Sequence, residues 1–123
     1  MPKILVVVLG LLLIPIIGDA DEWTKGDTAR EATYLTLRVI DWGQTRNIVH
    51  REAEGYSETN KILGKHPTIN EVDAYMAGAA LGHILIAAAL PRKWREGFQY
   101  VTILELVIAV VHNNSISLKV DFE

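Results

Sequence analysis

Two long apolar runs separated by a short basic link constrain the fold of this chain more than any other feature. The runs are Ala74–Leu90 and Gly97–Val111, and Pro91–Glu96 joins them. The first run has 17 residues, which is the lower limit for a helix that crosses a bilayer. A turn at the link would fold the two runs into a hairpin. The sequence therefore predicts an all-α membrane protein with a C-terminal transmembrane helical hairpin.

Local signals set the ends of these two helices. Thr68 and Glu71 have the spacing of a capping box, in which each residue satisfies a free amide of the first turn. We predict a helix from this box to Leu90, because Pro91 cannot continue it. The partner helix is predicted over roughly 93–112.

His83 and Glu105 each lie alone in the middle of one apolar run. An ionisable group in such a run is costly without a partner, and inside a membrane it is a functional candidate. In a hairpin folded about the link, position 83 lies opposite position 104. The histidine and the carboxylate are therefore predicted to meet at nearly the same depth.

Such a pair has two explanations, and both stay open. As a functional site it would be a proton relay, a metal pair or a general acid–base couple, since burial shifts the titration of both groups. As a structural element it would be a hydrogen bond that fixes the register of the hairpin. His83 and Glu105 are the first catalytic candidates.

The N-terminal segment 1–20 has the pattern of a signal peptide. Lys3 precedes a mostly apolar stretch over Ile4–Ile17, and Gly18 and Ala20 flank Asp19 as in a small-x-small cleavage site. The alternative is an uncleaved N-terminal anchor, which would be short for a spanning helix. The remainder, 21–123, is predicted to form a single helical membrane domain.

An amphipathic helix is predicted upstream of the hairpin, over Ala29–Ala53. Thr28 and Glu31 resemble a capping box, and Gly55 is a plausible stop. Apolar and charged residues are both spread through this segment, so it could lie on the membrane surface or pack on the hairpin.

The tail 116–123 alternates between apolar and polar residues, which is a strand pattern. A single strand needs a partner edge, so the tail is expected to pair with another subunit or to lie on the surface.

Charge suggests an orientation in the bilayer. The link over Arg92–Arg95 is the most basic short loop and is therefore expected in the cytoplasm, with 56–67 and the tail on the outer side. The segment after residue 20 is also expected outside, which requires that the amphipathic helix does not span.

Gly78 and Gly82 form a GxxxG step immediately before His83, and Ala74 extends the same ridge. Small residues let two helix backbones approach closely. We expect this ridge to pack within the hairpin or in a dimer, or else to leave space for a lipid or ligand beside the histidine. A soluble helical hairpin buried in a larger complex would show a similar pattern and is the alternative to the membrane interpretation.

Polar residues outside the hairpin supply further candidates. They are Asp41, Gln44 and Thr45 on one helical face, Glu58 and Asn60 in the connector, His66 before Pro67, and His112, which Tyr75 would face in a second polar layer of the hairpin. Asp41 and Glu58 join the catalytic candidates, and Gln44, Asn60, His66 and His112 the binding candidates.

A divalent metal could be bound by four side chains together, those of Asp41, Glu58, His66 and His83. Their spacing matches no zinc motif, and the alternative is that they cap helix ends and fix the connector.

The pattern Asp-x-x-Gln-Thr followed by Glu-x-Asn resembles small uncharacterised bacterial and phage helical membrane proteins. Asp41, Gln44, Thr45, Glu58 and Asn60 match it, while Lys61 stands where that pattern often has proline. The resemblance covers roughly residues 35–112. It implies a helical protein of the bacterial inner membrane and carries no activity with it.

Composition narrows the function classes. The net charge is −3 and basic residues do not converge on one face, which argues against nucleic acid as a partner. There is no cysteine, no glycine-rich phosphate loop and no nucleophile elbow, and the sequence identifies no cofactor.

We therefore expect a non-enzymatic accessory or assembly component of a membrane complex. It would contact lipids and a protein partner or a second copy of the chain. The alternatives are a small membrane enzyme or proton-coupled factor that uses the His/Glu pair, and a phage-type lysis or exclusion factor.

Overall fold

The computed structural model describes residues 22–58 and 62–123, and within them the chain is all-α, as predicted. It contains α1 (Lys25–His50), a 3₁₀ turn (Glu52–Glu54), α2 (Ile69–Ala89) and α3 (Arg92–Ser115). The predicted signal or anchor segment and Asn60 lie outside the described residues.

The start of α1 differs from the prediction by one turn. Its N-cap is Thr24, which forms a capping box with Asp27. Glu31 is therefore in the second turn and completely buried instead of being a capping residue. The predicted capping box of Thr68 and Glu71 is present at the start of α2, and that helix ends at Ala89 with Leu90 as its C-cap.

α1 packs against both of the other helices, most extensively against α3, while α2 and α3 contact each other least. Near one end of the bundle, Arg95 of α3 bonds to Asp27 of α1 and to the carbonyl of Ala87 of α2. Near the other end, Trp42 of α1 donates to Asp73 of α2. α1 and α3 are therefore parallel, and α2 runs antiparallel to both.

The distribution of polarity is unusual. A small apolar core, centred on Trp42 and Met76, lies between the helices. Beside it, charged and amide side chains are buried. They are Asp27, Glu31, Asp41, Gln44, Asn47, Asp73, His83, Arg95 and Gln99. Large apolar side chains are instead exposed on the outer faces of α2 and α3: Leu81, Leu85, Ile86, Val101, Leu104, Val107, Ile108 and Val111.

The C-terminal tail packs on its own chain, and the strand prediction is wrong for it: no strand is present in residues 116–123. The amide of Asp121 donates to the carbonyl of Gly43, at 3.1 Å. A Cβ at position 43 would lie 2.4 Å from a methyl group of Val120, so only glycine permits this close approach. The tail therefore crosses α1 instead of extending a sheet.

Two side chains of α1 form hydrogen bonds with the tail. The Arg46 guanidinium donates to the carbonyls of Asp121 and Glu123. The His50 ring is 2.6 Å from the Asp121 carboxylate. Hydrogen bonding from His50 lowers the pKa of Asp121 below its ordinary value, which keeps this carboxylate charged.

One helix of the described chain, α2, is long and apolar enough to cross a membrane. The core helix of a soluble protein would pass the same test. α3 does not pass it, so these criteria of length and hydropathy support one of the two helices in the predicted transmembrane hairpin.

Candidate functional site

His83 does not pair with Glu105, so this prediction is wrong. Its Nδ1 is 2.7 Å from the Glu31 carboxylate of α1, and its Nε2 is 2.7 Å from the Thr102 hydroxyl of α3. Glu105 lies one turn beyond Thr102 and is exposed. The hairpin prediction placed the partner of His83 on α3 within one turn of Thr102, which does contact it. The carboxylate comes instead from α1, which packs against both helices.

The imidazole of His83 is held between two aromatic rings. Tyr34 stacks on it with 3.4 Å between ring centroids and 9° between planes, and Phe98 lies at 4.5 Å and 24°. With both nitrogens bonded and both faces covered, the ring has one orientation. Every helix contributes to this cluster, so it fixes the relative position of all three.

Both oxygens of the Glu31 carboxyl group have a partner. The Arg30 guanidinium donates to the Gln99 side-chain oxygen at 2.8 Å, which turns the amide nitrogen of Gln99 towards Glu31 at 3.1 Å. The other carboxyl oxygen lies 2.7 Å from Nδ1 of His83.

Thr102 joins His83 to the backbone of α3. The Thr102 oxygen lies within bonding distance of Nε2 of His83 and of the carbonyls of Phe98 and Gln99. A hydroxyl has one proton, so it donates to one of these partners at a time.

A second ion pair lies at the same end of the bundle as the link. Arg95 and Asp27 are both completely buried and 3.0 Å apart. Arg95 also donates to the carbonyls of Ala87, Ala88 and Leu90 at the end of α2. The Arg95 side chain therefore caps the C-terminal end of α2. The orientation predicted from charge had treated it as an exposed charge of the link.

Three of the four catalytic candidates line one cavity of about 320 Å³ between the helices. They are Asp41 from α1, Glu105 from α3 and Glu58 from the connector. The remaining lining residues are Tyr34, Arg38, Thr45, Tyr75, Met76, Thr102, Leu106 and Ala109. His83 is the exception, but Thr102 reaches both it and the cavity.

The carboxyl groups of the cavity differ in their partners. Asp41 accepts from Arg38 at 3.1 Å and from Asn113 at 3.3 Å. Arg38 also donates to the hydroxyl of Tyr34. Within the described part of the chain, Glu105 has neither a hydrogen-bond nor an ion-pair partner.

The other candidates lie apart from the cavity. Gln44 joins α1 to α3 through Asn113 and the carbonyl of Val110. His66 is exposed and 3.8 Å from Glu52, and His112 is exposed near the end of α3. The metal set of Asp41, Glu58, His66 and His83 is not assembled, and no other cluster in the described residues could hold a metal ion.

Sequence patterns did not identify Glu31, Arg95 and Gln99 as interior residues. Glu31 was assigned to a cap and Arg95 to a loop. The available signal was their spacing: positions 95, 99 and 102 recur on one face of a helix, opposite the apolar face.

No family model, no curated protein and no solved structure matches this chain. The His83 cluster holds the three helices together, and the cavity has room for a small polar molecule.

Proposed function

We propose that this chain is a small integral protein of the bacterial inner membrane, in which all three helices cross the bilayer, and that it acts as a non-enzymatic accessory or assembly component. The inverted polarity of the bundle carries the proposal. Charged groups such as Glu31 and Arg95 are buried, whereas Leu104, Ile108 and Val111 are about 60% exposed.

Bilayer physics accounts for this distribution. Soluble monomers rarely expose a large continuous apolar surface. In a bilayer, by contrast, ionisable side chains face the bundle interior and every polar group needs a partner. Within the described residues, no buried side-chain nitrogen or oxygen lacks a hydrogen-bond partner. At 21 residues, α2 is about 32 Å long, close to the thickness of the hydrocarbon core.

The proposal gives α1 a different role from the one expected from its charges. α1 runs alongside α2 from Trp42 to Asp27, so it must span if α2 does. Its inner face carries the charges, and the hydroxyls of Thr33 and Thr36 on the outer face donate to backbone carbonyls of their own helix. Those bonds satisfy the hydroxyls without water.

The same packing restricts the orientation. Trp23 stacks on Arg95 and Glu22 lies 4.0 Å from Arg92, so the start of α1 and the basic link are at one end. They would face the same side of the membrane. The link therefore cannot be cytoplasmic while the segment after residue 20 is external. We retain the cytoplasmic link in the proposed orientation. Tyr56 bonds to the tail, which puts connector and tail together on the outer side.

Cysteine labelling tests the membrane placement, because the chain has no native cysteine. In open membrane fragments, we expect an Ile108→Cys variant to resist a water-soluble maleimide. A Lys119→Cys variant, changed in the exposed tail, should react at least tenfold faster. After denaturation in SDS the two should react alike. Equal labelling of the two variants in the membrane fragments before denaturation would contradict the proposal, because residue 108 would then face water.

The association surface of this component is proposed to be the glycine face of α2, with a second copy of the chain as its occupant. Among the described residues, nothing lies within 4 Å of a Cβ built at Gly78 or Gly82. Leu81, Leu85 and Ile86 border this face and are exposed. Backbones meeting at such a step approach closely enough for extensive van der Waals contact.

A Gly82→Leu variant should abolish the self-association signal in a membrane two-hybrid assay, because the leucine would hold two α2 helices apart. Gly97→Leu is the matched control: it adds the same side chain to α3, also with nothing described within 4 Å. We expect that control to keep the wild-type signal. Unchanged association of the Gly82→Leu variant at equal expression would count against a partner on this face.

The accessory role is preferred over catalysis because the interior is already satisfied. His83 and Glu31 use their polar atoms to join helices, and Arg95 uses its own to cap one. A catalytic group needs an atom free to meet a substrate, and these residues present none.

A further inference from the structure

We propose that the cavity between the three helices binds a small organic ammonium cation, such as an alkyl diamine. The cost of leaving Glu105 without a counter-charge depends on the membrane placement proposed above, and to that extent the cation site rests on the proposed function. The cavity, its carboxyl groups and its aromatic walls do not depend on that placement.

The charge of the lining favours a cation. Three carboxyl groups face one guanidinium in this cavity: Asp41, Glu58 and Glu105 against Arg38. Arg38 is committed to Asp41 and to the hydroxyl of Tyr34. Glu105 is left without a counter-charge among the described residues, and a cationic ligand would supply one.

Glu105 is the group most in need of a counter-charge. It has no partner among the described residues, while Val101, Leu104 and Ile108 around it are apolar and exposed. At mid-helix in a bilayer, an ionised carboxylate without a partner is strongly unfavourable. Glu105 is exposed at the edge of the cavity, and among the described residues that line it Glu105 is the group that an external cation would neutralise.

The shape and chemistry of the walls favour an organic cation over a metal ion. Tyr34, Tyr75, Met76 and Leu106 line the cavity beside the carboxyl groups. Tyr34 already stacks on His83 and lies under the Arg38 guanidinium, so Tyr75 is the ring that could attract an ammonium group through its π face. Methylenes of an alkyl chain would pack on Met76 and Leu106. A volume of about 320 Å³ is at the lower end for a small-molecule site.

The carboxyl groups come from three different parts of the chain, which suits a ligand with two charged ends. Asp41 belongs to α1, Glu105 to α3 and Glu58 to the connector between α1 and α2. A diamine bound to two of them would hold the connector against the bundle. Glu58 and Glu105 are therefore the residues expected to determine affinity.

Calorimetry on the full chain in detergent tests the site, with 1,4-diaminobutane as probe and 1,4-butanediol as its uncharged isostere. We expect saturable binding of the diamine alone. Glu105→Gln should weaken it at least tenfold. The control is Glu96→Gln, an exposed carboxyl on α3 that does not line the cavity, and it should bind like the wild type.

Several outcomes would overturn the cation site. They are the absence of saturable diamine binding, equal binding of the diol, and unchanged binding by Glu105→Gln. If that variant does not accumulate, Glu58→Gln takes its place with the same expectation. Diamine binding in detergent together with rapid labelling at residue 108 would refute the membrane placement alone. A protected residue 108 with no diamine binding would refute the cation site alone.

Discussion

Replacing Arg95 by methionine is expected to lower the free energy of unfolding by about 1–3 kcal/mol, the cost of leaving buried acceptors without their donor. Asp27, completely buried, would lose its 3.0 Å contact to the Arg95 guanidinium and keep its ion pair with Arg30. The carbonyls of Ala87 and Leu90 would lose their donor as well. Methionine has a similar reach and no charge, so packing changes little.

Arg92→Met is the matched control for this experiment, because it removes the same charge from an exposed position in the same turn. We expect its effect to stay within about 0.5 kcal/mol. Both variants would be compared by SDS unfolding in mixed micelles, followed by circular dichroism. Equal stability of the two variants would mean that Arg95 does not hold α2 to α1 as the distances indicate.

Replacing Glu31 by leucine is expected to be similarly costly, about 1–3 kcal/mol, because buried polar groups lose a partner. The change takes from Nδ1 of His83 its partner and from the Gln99 amide one of its two acceptors, the other being the carbonyl of Asp27. The His83→Leu variant should also be destabilised, through the Glu31 carboxylate that it leaves unpaired. The double variant should cost clearly less than the two changes added together, because the second removes a group that the first had already left without a partner.

Glu105→Leu provides the comparison, since Glu105 was the partner that the sequence suggested. Its side chain is exposed and has no partner among the described residues, so the same unfolding assay should show no loss of stability. A large loss at Glu105 together with strict additivity of Glu31→Leu and His83→Leu would contradict the pairing described for His83.

The existence of the helices was predictable because it depends on local signals. Thr68, Glu71 and Pro91 act within one or two turns of the chain, and the structure confirms the helix that they delimit. The start of α1 was misplaced because Thr24 and Asp27 form an equally good box one turn before Thr28. Local patterns alone do not choose between two such boxes.

The partner of His83 was not predictable from the hairpin alone. Opposite positions in a hairpin give depth, but the direction of a side chain depends on what else packs there. α1 contacts both helices and brings Glu31 to the histidine across 52 residues of chain. Asp41 and Glu58 were candidates as possible metal ligands and Glu105 as a charge in an apolar run, and no sequence pattern predicted the cavity that all three line.

The two aromatic rings on His83 make this side chain an internal reporter for nuclear magnetic resonance. Tyr34 belongs to α1, His83 to α2 and Phe98 to α3, and their centroids are within 4.5 Å of His83. Ring currents from both neighbours act on the imidazole protons and change steeply with distance. A displacement of any helix by a fraction of an ångström, through ligand, partner or lipid, would therefore move a resonance that belongs to a single residue.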